Sequence, residues 1–89
     1  MAWKIEFDRD ARKELDKLDH QASKRILTFL VERLAQRNNP RELGEALTGP
    51  KFGEYWKYRV GDYRIICKIQ DEKICILVIR IGNRREVYR

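Results

Sequence analysis

Positions 55–68 read Tyr-Trp-Lys-Tyr-Arg-Val-Gly-Asp-Tyr-Arg-Ile-Ile-Cys-Lys, two alternating runs on either side of Gly61-Asp62. A two-residue loop with glycine first suits the II′ turn, whose twist matches that of paired antiparallel strands. This turn predicts the register Val60–Tyr63, Arg59–Arg64, Tyr58–Ile65, Lys57–Ile66 and Tyr55–Lys68. Opposed residues share a face and the face alternates along each strand. One face therefore gathers Trp56, Tyr58, Val60, Tyr63, Ile65 and Cys67 as a core. The other gathers Tyr55, Lys57, Arg59, Arg64, Ile66 and Lys68, with four cations and no carboxylate. Like charges set opposite each other are destabilising, so such a face is built for an anion.

Charge along the rest of the chain points the same way. The net charge is +6 over 89 residues. Residues 1–54 hold 11 Lys/Arg against 10 Asp/Glu, whereas residues 55–89 hold 9 against 4. An excess confined to one part of a short chain implies a polyanionic partner. The length suits one domain over residues 1–89. The longest apolar run, Ile74 to Ile79, is too short to span a bilayer. The N-terminal residues lack the pattern of a signal peptide, so a cytoplasmic location without membrane attachment is expected. Cys67 and Cys75 lie in strand-like segments and are expected as reduced core thiols. His20 is the only histidine and no Cys-x-x-Cys occurs, which leaves too few ligands for zinc. No cofactor is expected.

Elsewhere the periodicity predicts a strand over 2–7, with Trp3, Ile5 and Phe7 inward. Asp8 can cap a helix carrying Ala11, Leu15 and Leu18 on its buried side. Asp19 is expected to cap a longer helix over 20–37, buried along Ala22, Ile26, Phe29, Leu30 and Leu34, with Leu27 and Val31 widening that stripe. Lys13, Lys17, Lys24, Arg25, Arg33 and Arg37 could reach an RNA partner, but most of them read as solvated helical surface. Asn38-Asn39-Pro40 ends the helix, and residues 41–47 are expected to add a helical turn. Asp71-Glu72-Lys73 turns the chain into a central strand over 74–81, broken by Gly82-Asn83. A three-residue connection here would set Arg80 beside Arg64, with Cys75, Leu77, Ile79 and Ile81 in the core. An even-numbered connection would instead turn Arg80 toward the helices, a costly place for a charge unless it is paired. The odd loop is therefore expected. The fold class is α+β: an N-terminal strand, then a two-helix hairpin packed on a mainly antiparallel twisted sheet.

This order of elements, with residues 56–66 (Trp-Lys-Tyr-Arg-Val-Gly-Asp-Tyr-Arg-Ile-Ile) and 79–88 (Ile-Arg-Ile-Gly-Asn-Arg-Arg-Glu-Val-Tyr), resembles the RelE family. These are toxins of type II toxin–antitoxin systems, within the RelE/ParE superfamily. The resemblance covers essentially the whole chain. It implies the small RelE-like fold and a ribosome-dependent endoribonuclease that cuts mRNA in the A site. It also implies the 70S ribosome and its RNA as partners, and neutralisation by a cognate RelB-like antitoxin. Residue by residue, the family's catalytic set falls on Lys57, Arg64, Arg84 and Tyr88. Tyr55 departs from the family pattern, standing where well-known members carry a lysine that is one candidate for the general base. Tyr55, Arg59, Lys68, Arg80 and Arg85 are the expected RNA contacts.

The chemistry of those residue types fits such a reaction. Metal-independent RNA cleavage needs a 2′-hydroxyl activated, charge on the pentavalent phosphate neutralised and the 5′-oxygen protonated. Arginine suits the phosphate because its planar fork stays charged and can donate two parallel hydrogen bonds, a role that falls on Arg64. Lys57 and Tyr88 are left for proton transfer, and Arg84 for the leaving side. Two other functions fit the sequence: a ParE-type inhibitor of DNA gyrase, and a non-catalytic module that binds RNA on a basic sheet. Concentration of function in a few residues separates a nuclease from a module whose cations share the binding.

Overall fold

The computed structural model describes residues 2–47 and 55–83. Arg84, Arg85 and Tyr88, three of the expected site residues, lie outside them. Strand β1 (Lys4–Phe7) leads through Asp8 into helix α1 (Arg9–Asp16), and helix α2 (His20–Thr28) follows after a short turn. A π-helical segment (Phe29–Leu34) extends α2, and a 3-10 turn (Pro40–Leu43) precedes the two-residue strand β2 (Glu45–Ala46). Strands β3 (Tyr55–Val60), β4 (Tyr63–Gln70) and β5 (Cys75–Asn83) complete one five-stranded sheet in the order β1-β5-β4-β3-β2. β1 runs parallel to β5 and every other pairing is antiparallel. This is the expected α+β architecture.

The β3–β4 register is the one the turn chemistry dictates, with Arg59 opposite Arg64 and Tyr55 opposite Lys68. Gly61 has φ +59° and Asp62 is not left-handed, which places positive φ at the first central residue, as a II′ turn requires. The main core lies between the helices and one sheet face. Ala11, Leu15, Ile26, Leu30 and Leu34 pack there against Tyr58, Val60, Ile65, Cys67, Ile76, Val78 and Ile81. Trp3, Ile5, Phe7, Trp56 and Tyr63 close its margins. On the opposite face, Ile66 and Leu47 form a small second cluster with Tyr55 and Ile79. Both cysteines are buried free thiols, and burial raises the pKa of each.

Helix entry differs at the two caps. Asp19 Oδ1 accepts from the Ala22 N–H at 2.8 Å, the side-chain cap expected of it. Asp8 has the extended backbone of an N-cap but makes no side-chain cap bond. The second helix also corrects the sequence reading. Its α-helical part stops at Thr28, and the Ala35 N–H reaches back five residues to Leu30 O at 2.9 Å. The wider π turn keeps Leu30 and Leu34 together on the core side. Leu27 and Val31 do not widen the buried stripe, being 38% and 50% exposed. Of the segment expected to turn helically over 41–47, the first part is the 3-10 turn, and the second part is strand β2.

The β4–β5 connection is the second correction. Gln70 pairs with Cys75, so the loop has four residues, and Ile74 closes it in the left-handed region at φ 50°. Glycine or asparagine normally marks that position, and a β-branched residue conceals it. The even loop brings Ile76 and Val78 to the core in place of Cys75 and Leu77. A register shift at Ile66/Cys67 then restores Ile81 to the core and leaves Ile79 on the opposite face. The shift sets Arg80 opposite Ile66, and Gly82 rather than Arg80 opposite Arg64; the Arg80 Nε donates to Glu14 Oε2 of α1 at 3.2 Å. Glu14 Oε1 accepts the Ile81 N–H at 2.9 Å, just beyond the point where β1 ends opposite Val78. One carboxylate thus pairs the charge and completes the strand edge. Glu14→Ala should destabilise the fold by about 1–3 kcal/mol. Glu14→Gln, which keeps an acceptor for Ile81, should cost less. Urea midpoints for the two variants check this, and an unshifted midpoint for the alanine variant refutes it.

Candidate functional site

Lys57, Arg59 and Arg64 project from the centre of the β3–β4 hairpin into a cleft of about 350 Å³. Its opposite wall is the segment joining the 3-10 turn to β2: Glu42, Leu43, Gly44 and Glu45. The pairing of Glu45 with Lys57 and of Ala46 with Trp56 places that wall. Gly44 lets it approach. An ideal Cβ at Gly44 would lie 2.6 Å from Tyr58 Cε1 and 2.7 Å from Lys57 O. Tyr58 in turn is fixed from behind, its hydroxyl donating to Pro40 O at 2.9 Å and its ring packed on Phe29 with centroids 5.9 Å apart. Burial raises the pKa of the Tyr58 phenol, which keeps it a hydrogen-bond donor rather than an acid.

Arg64 is the unusual group in the cleft. It is only 8% exposed. Among the described residues it makes one long hydrogen bond, from Nη1 to Tyr63 O at 3.5 Å, and no ion pair. It lies directly opposite Arg59 on β3 and Gly82 on β5. A nearly buried guanidinium with no carboxylate and a second cation across the ladder is an arrangement that anion binding would relieve. Lys57 differs, since its Nζ meets Glu45 Oε2 at 3.2 Å. The expected face of cations alone is thus modified by acids carried in on β2. Glu45 and Glu42 were missed because a two-residue strand leaves no periodicity to read.

The other expected contacts divide among different places. Tyr55 and Lys68 line a neighbouring hollow of about 530 Å³ with Arg41, Trp56 and Asp71. Arg41 bridges its sides, donating to both Asp71 carboxylate oxygens at 3.0 and 2.6 Å and lying 5.8 Å from the Trp56 ring centroid. These hydrogen bonds hold the Asp71 carboxyl below the usual carboxylate range. Arg80 belongs to the Glu14 contact on α1. The cleft therefore brings together Lys57, Arg59 and Arg64, and the strand that leads to Arg84 ends with Asn83 opposite Tyr63.

Comparison with known proteins places this geometry in a family. A family model described as the ParE toxin of the type II toxin–antitoxin system parDE matches residues 5–88. The mRNA interferase toxin RelE of Escherichia coli K12 is 34% identical over 90 residues, covering 99% of this chain and 92% of that protein. Toxin RelG of Mycobacterium tuberculosis is 27% identical over 89 residues, covering all of this chain and 99% of that toxin. Among solved structures, isolated E. coli RelE superposes with a TM-score of 0.73 at 31% identity, covering 98% of this chain and 92% of that one. The RelBE2 toxin–antitoxin complex of M. tuberculosis gives 0.85 at 23% identity, covering 97% and 95%, a likeness of fold. The hairpin, the cleft walls and the whole-length matches agree: this chain belongs to the RelE/ParE toxins of type II toxin–antitoxin systems, and among them to the RelE family.

Proposed function

We propose that this toxin is a ribosome-dependent endoribonuclease that cleaves mRNA in the A site and is neutralised by a RelB-type antitoxin. The observation that carries the reading is Arg64, nearly buried at the cleft without an acid partner among the described residues. In this scheme Arg64 binds the scissile phosphate and stabilises the charge that builds on its oxygens. The 2′-hydroxyl attacks phosphorus, the bond to the 5′-oxygen breaks, and a 2′,3′-cyclic phosphate and a 5′-hydroxyl result. One proton leaves the 2′-oxygen and one reaches the 5′-oxygen. Lys57 and Tyr88 handle those protons, and Arg84 acts on the leaving side. Glu45 holds Lys57, and an incoming phosphate must displace it. That is cheap, because the Glu45 side chain is 77% exposed on an edge strand two residues long. Without a preorganised acid–base pair, the cleft depends on the ribosome to hold the RNA in an attacking geometry.

The curated E. coli relative named mRNA interferase supports RNA cleavage, as do the structures of RelE toxins bound to RelB-type antitoxins for the partner. The whole-length match to the ParE family model favours a second reading, inhibition of DNA gyrase. One experiment separates them: primer extension on a message translated in a purified system, with and without the protein. Cuts within A-site codons that disappear when ribosomes are omitted are expected. An intact message, together with gyrase–DNA complexes accumulating in a parallel reaction, overturns the nuclease reading.

A further inference from the structure

A second basic concavity, about 680 Å³, lies between the outer side of α2 and the β3–β4 turn. Lys24, Arg25 and Arg33 line it from the helical side, and Arg59 and Gly61 from the hairpin. No carboxylate lines it, and among the described residues none of these four cations forms an ion pair. Two of them have a neighbour that places them. Arg25 Nη1 lies 3.0 Å from where a Gly61 Cβ would stand, so this side chain crosses from the helix to the turn. The Arg33 guanidinium sits 5.8 Å from the Phe29 ring centroid, a stack between residues of the π-helical segment. Arg59 lines both this groove and the cleft with Lys57 and Arg64, so the two form one continuous cationic surface.

We propose that this groove is a phosphate track for RNA, receiving the part of the strand that flanks the nucleotide held in the cleft. This rests on the RNA reading of the cleft and extends it to residues that the sequence assigns to solvated surface. The groove's chemistry favours a phosphodiester over a protein segment. It offers four cations and no carboxylate, and its one aromatic ring, Phe29, is overlain by the Arg33 guanidinium. Protein interfaces centre on apolar anchors, whereas nucleic-acid interfaces are polar and strongly positive. The exposed apolar residues of this helical stretch, Leu27 in α2 and Val31 in the π-helical segment, do not line it. Arg59, which lines both the cleft and the groove, joins Arg64 to Lys24, Arg25 and Arg33, and no acid lines the groove itself.

The test is fluorescence anisotropy on the full chain with two all-2′-O-methyl RNAs, a 12-mer and a trinucleotide, across a series of KCl concentrations. The variant is Lys24→Ala/Arg33→Ala, two exposed changes whose fold is checked by thermal melting. For the 12-mer, the slope of log affinity against log salt should shrink by about 1.4, two single-strand phosphate contacts at roughly 0.7 each. Affinity for it should fall about tenfold, while the trinucleotide binds as before. An unchanged slope, an equal loss for both RNAs, or no binding of the 12-mer by the wild-type chain overturns the proposal. So does a variant that loses only a poly-glutamate 12-mer, which assigns the groove to an acidic protein segment. The two readings fail separately. A chain that leaves mRNA intact on the ribosome can still give the salt-slope change, and a ribosome-dependent nuclease can fail to give it.

Discussion

Arg64→Ala should lower mRNA cleavage on the ribosome by about 10²–10³-fold while leaving ribosome association within about twofold. The magnitude is that of removing one preorganised donor from a site where charge develops. The effect should be this large because the geometry makes Arg64 hard to replace. Arg59 is exposed and Lys57 is tied to Glu45, so neither is held facing the phosphate as a nearly buried fork is. Arg64→Lys should recover only part of the rate, since it keeps the charge but loses the two parallel donors. Single-turnover cleavage on stalled ribosomes measures the rate, and sedimentation with ribosomes measures association. Cleavage by the alanine variant within threefold of wild type removes Arg64 from the mechanism. A shared, gradual loss on substituting each cation in turn would favour a binding module instead.

Gly44→Ala should be nearly as damaging, though through the fold. The added Cβ would fall 2.6 Å from Tyr58 Cε1, 2.9 Å from Cδ1 and 2.7 Å from Lys57 O. Neither neighbour can yield easily. Tyr58 is 1% exposed and hydrogen-bonded to Pro40 O, and Lys57 O belongs to the backbone of a strand paired on both sides. The segment carrying Glu42 to Ala46 must therefore move outward, opening the cleft wall and straining the β2 pairing. Overpacking of this kind costs about 1–3 kcal/mol, which for a domain this size lowers Tm by roughly 5–20 °C. Calorimetric melting checks it, and a Tm within 2 °C of wild type refutes the argument. The same movement should weaken cleavage, because the cleft loses its opposite wall.

Legibility of the sequence followed how locally each feature is encoded. The β3–β4 register was readable to the residue because Gly61-Asp62 fixes the turn and the six residues on either side alternate, Ile66 excepted. Asp19 was readable as a cap for the same reason: its hydrogen bond spans three residues. Arg80 was not, because its place depends on Ile74 adopting a left-handed backbone and on a register shift at Ile66/Cys67. Neither leaves a glycine or a gap in the pattern. The partner that makes its position tolerable, Glu14, is 66 residues away. Leu27 and Val31 flank the buried stripe of Ile26, Leu30 and Leu34, and apolar character alone does not tell a flanking position from a covered one. Within the candidate site, the cations were visible as a face, whereas the acids opposite them and the glycine that admits them were not. β2 has only two residues, and what places it is the close approach of Gly44 to Tyr58 rather than any rhythm of its own.

Glu14 links distant parts of the chain. It is on the first helix, yet it fastens the last strand at Ile81, two positions before the described segment ends at Asn83. That anchor stands apart from the cleft of Lys57, Arg59 and Arg64. A toxin whose anchor slips could keep every reactive group and still miss its target, a fault of aim that no inventory of its catalytic side chains would reveal.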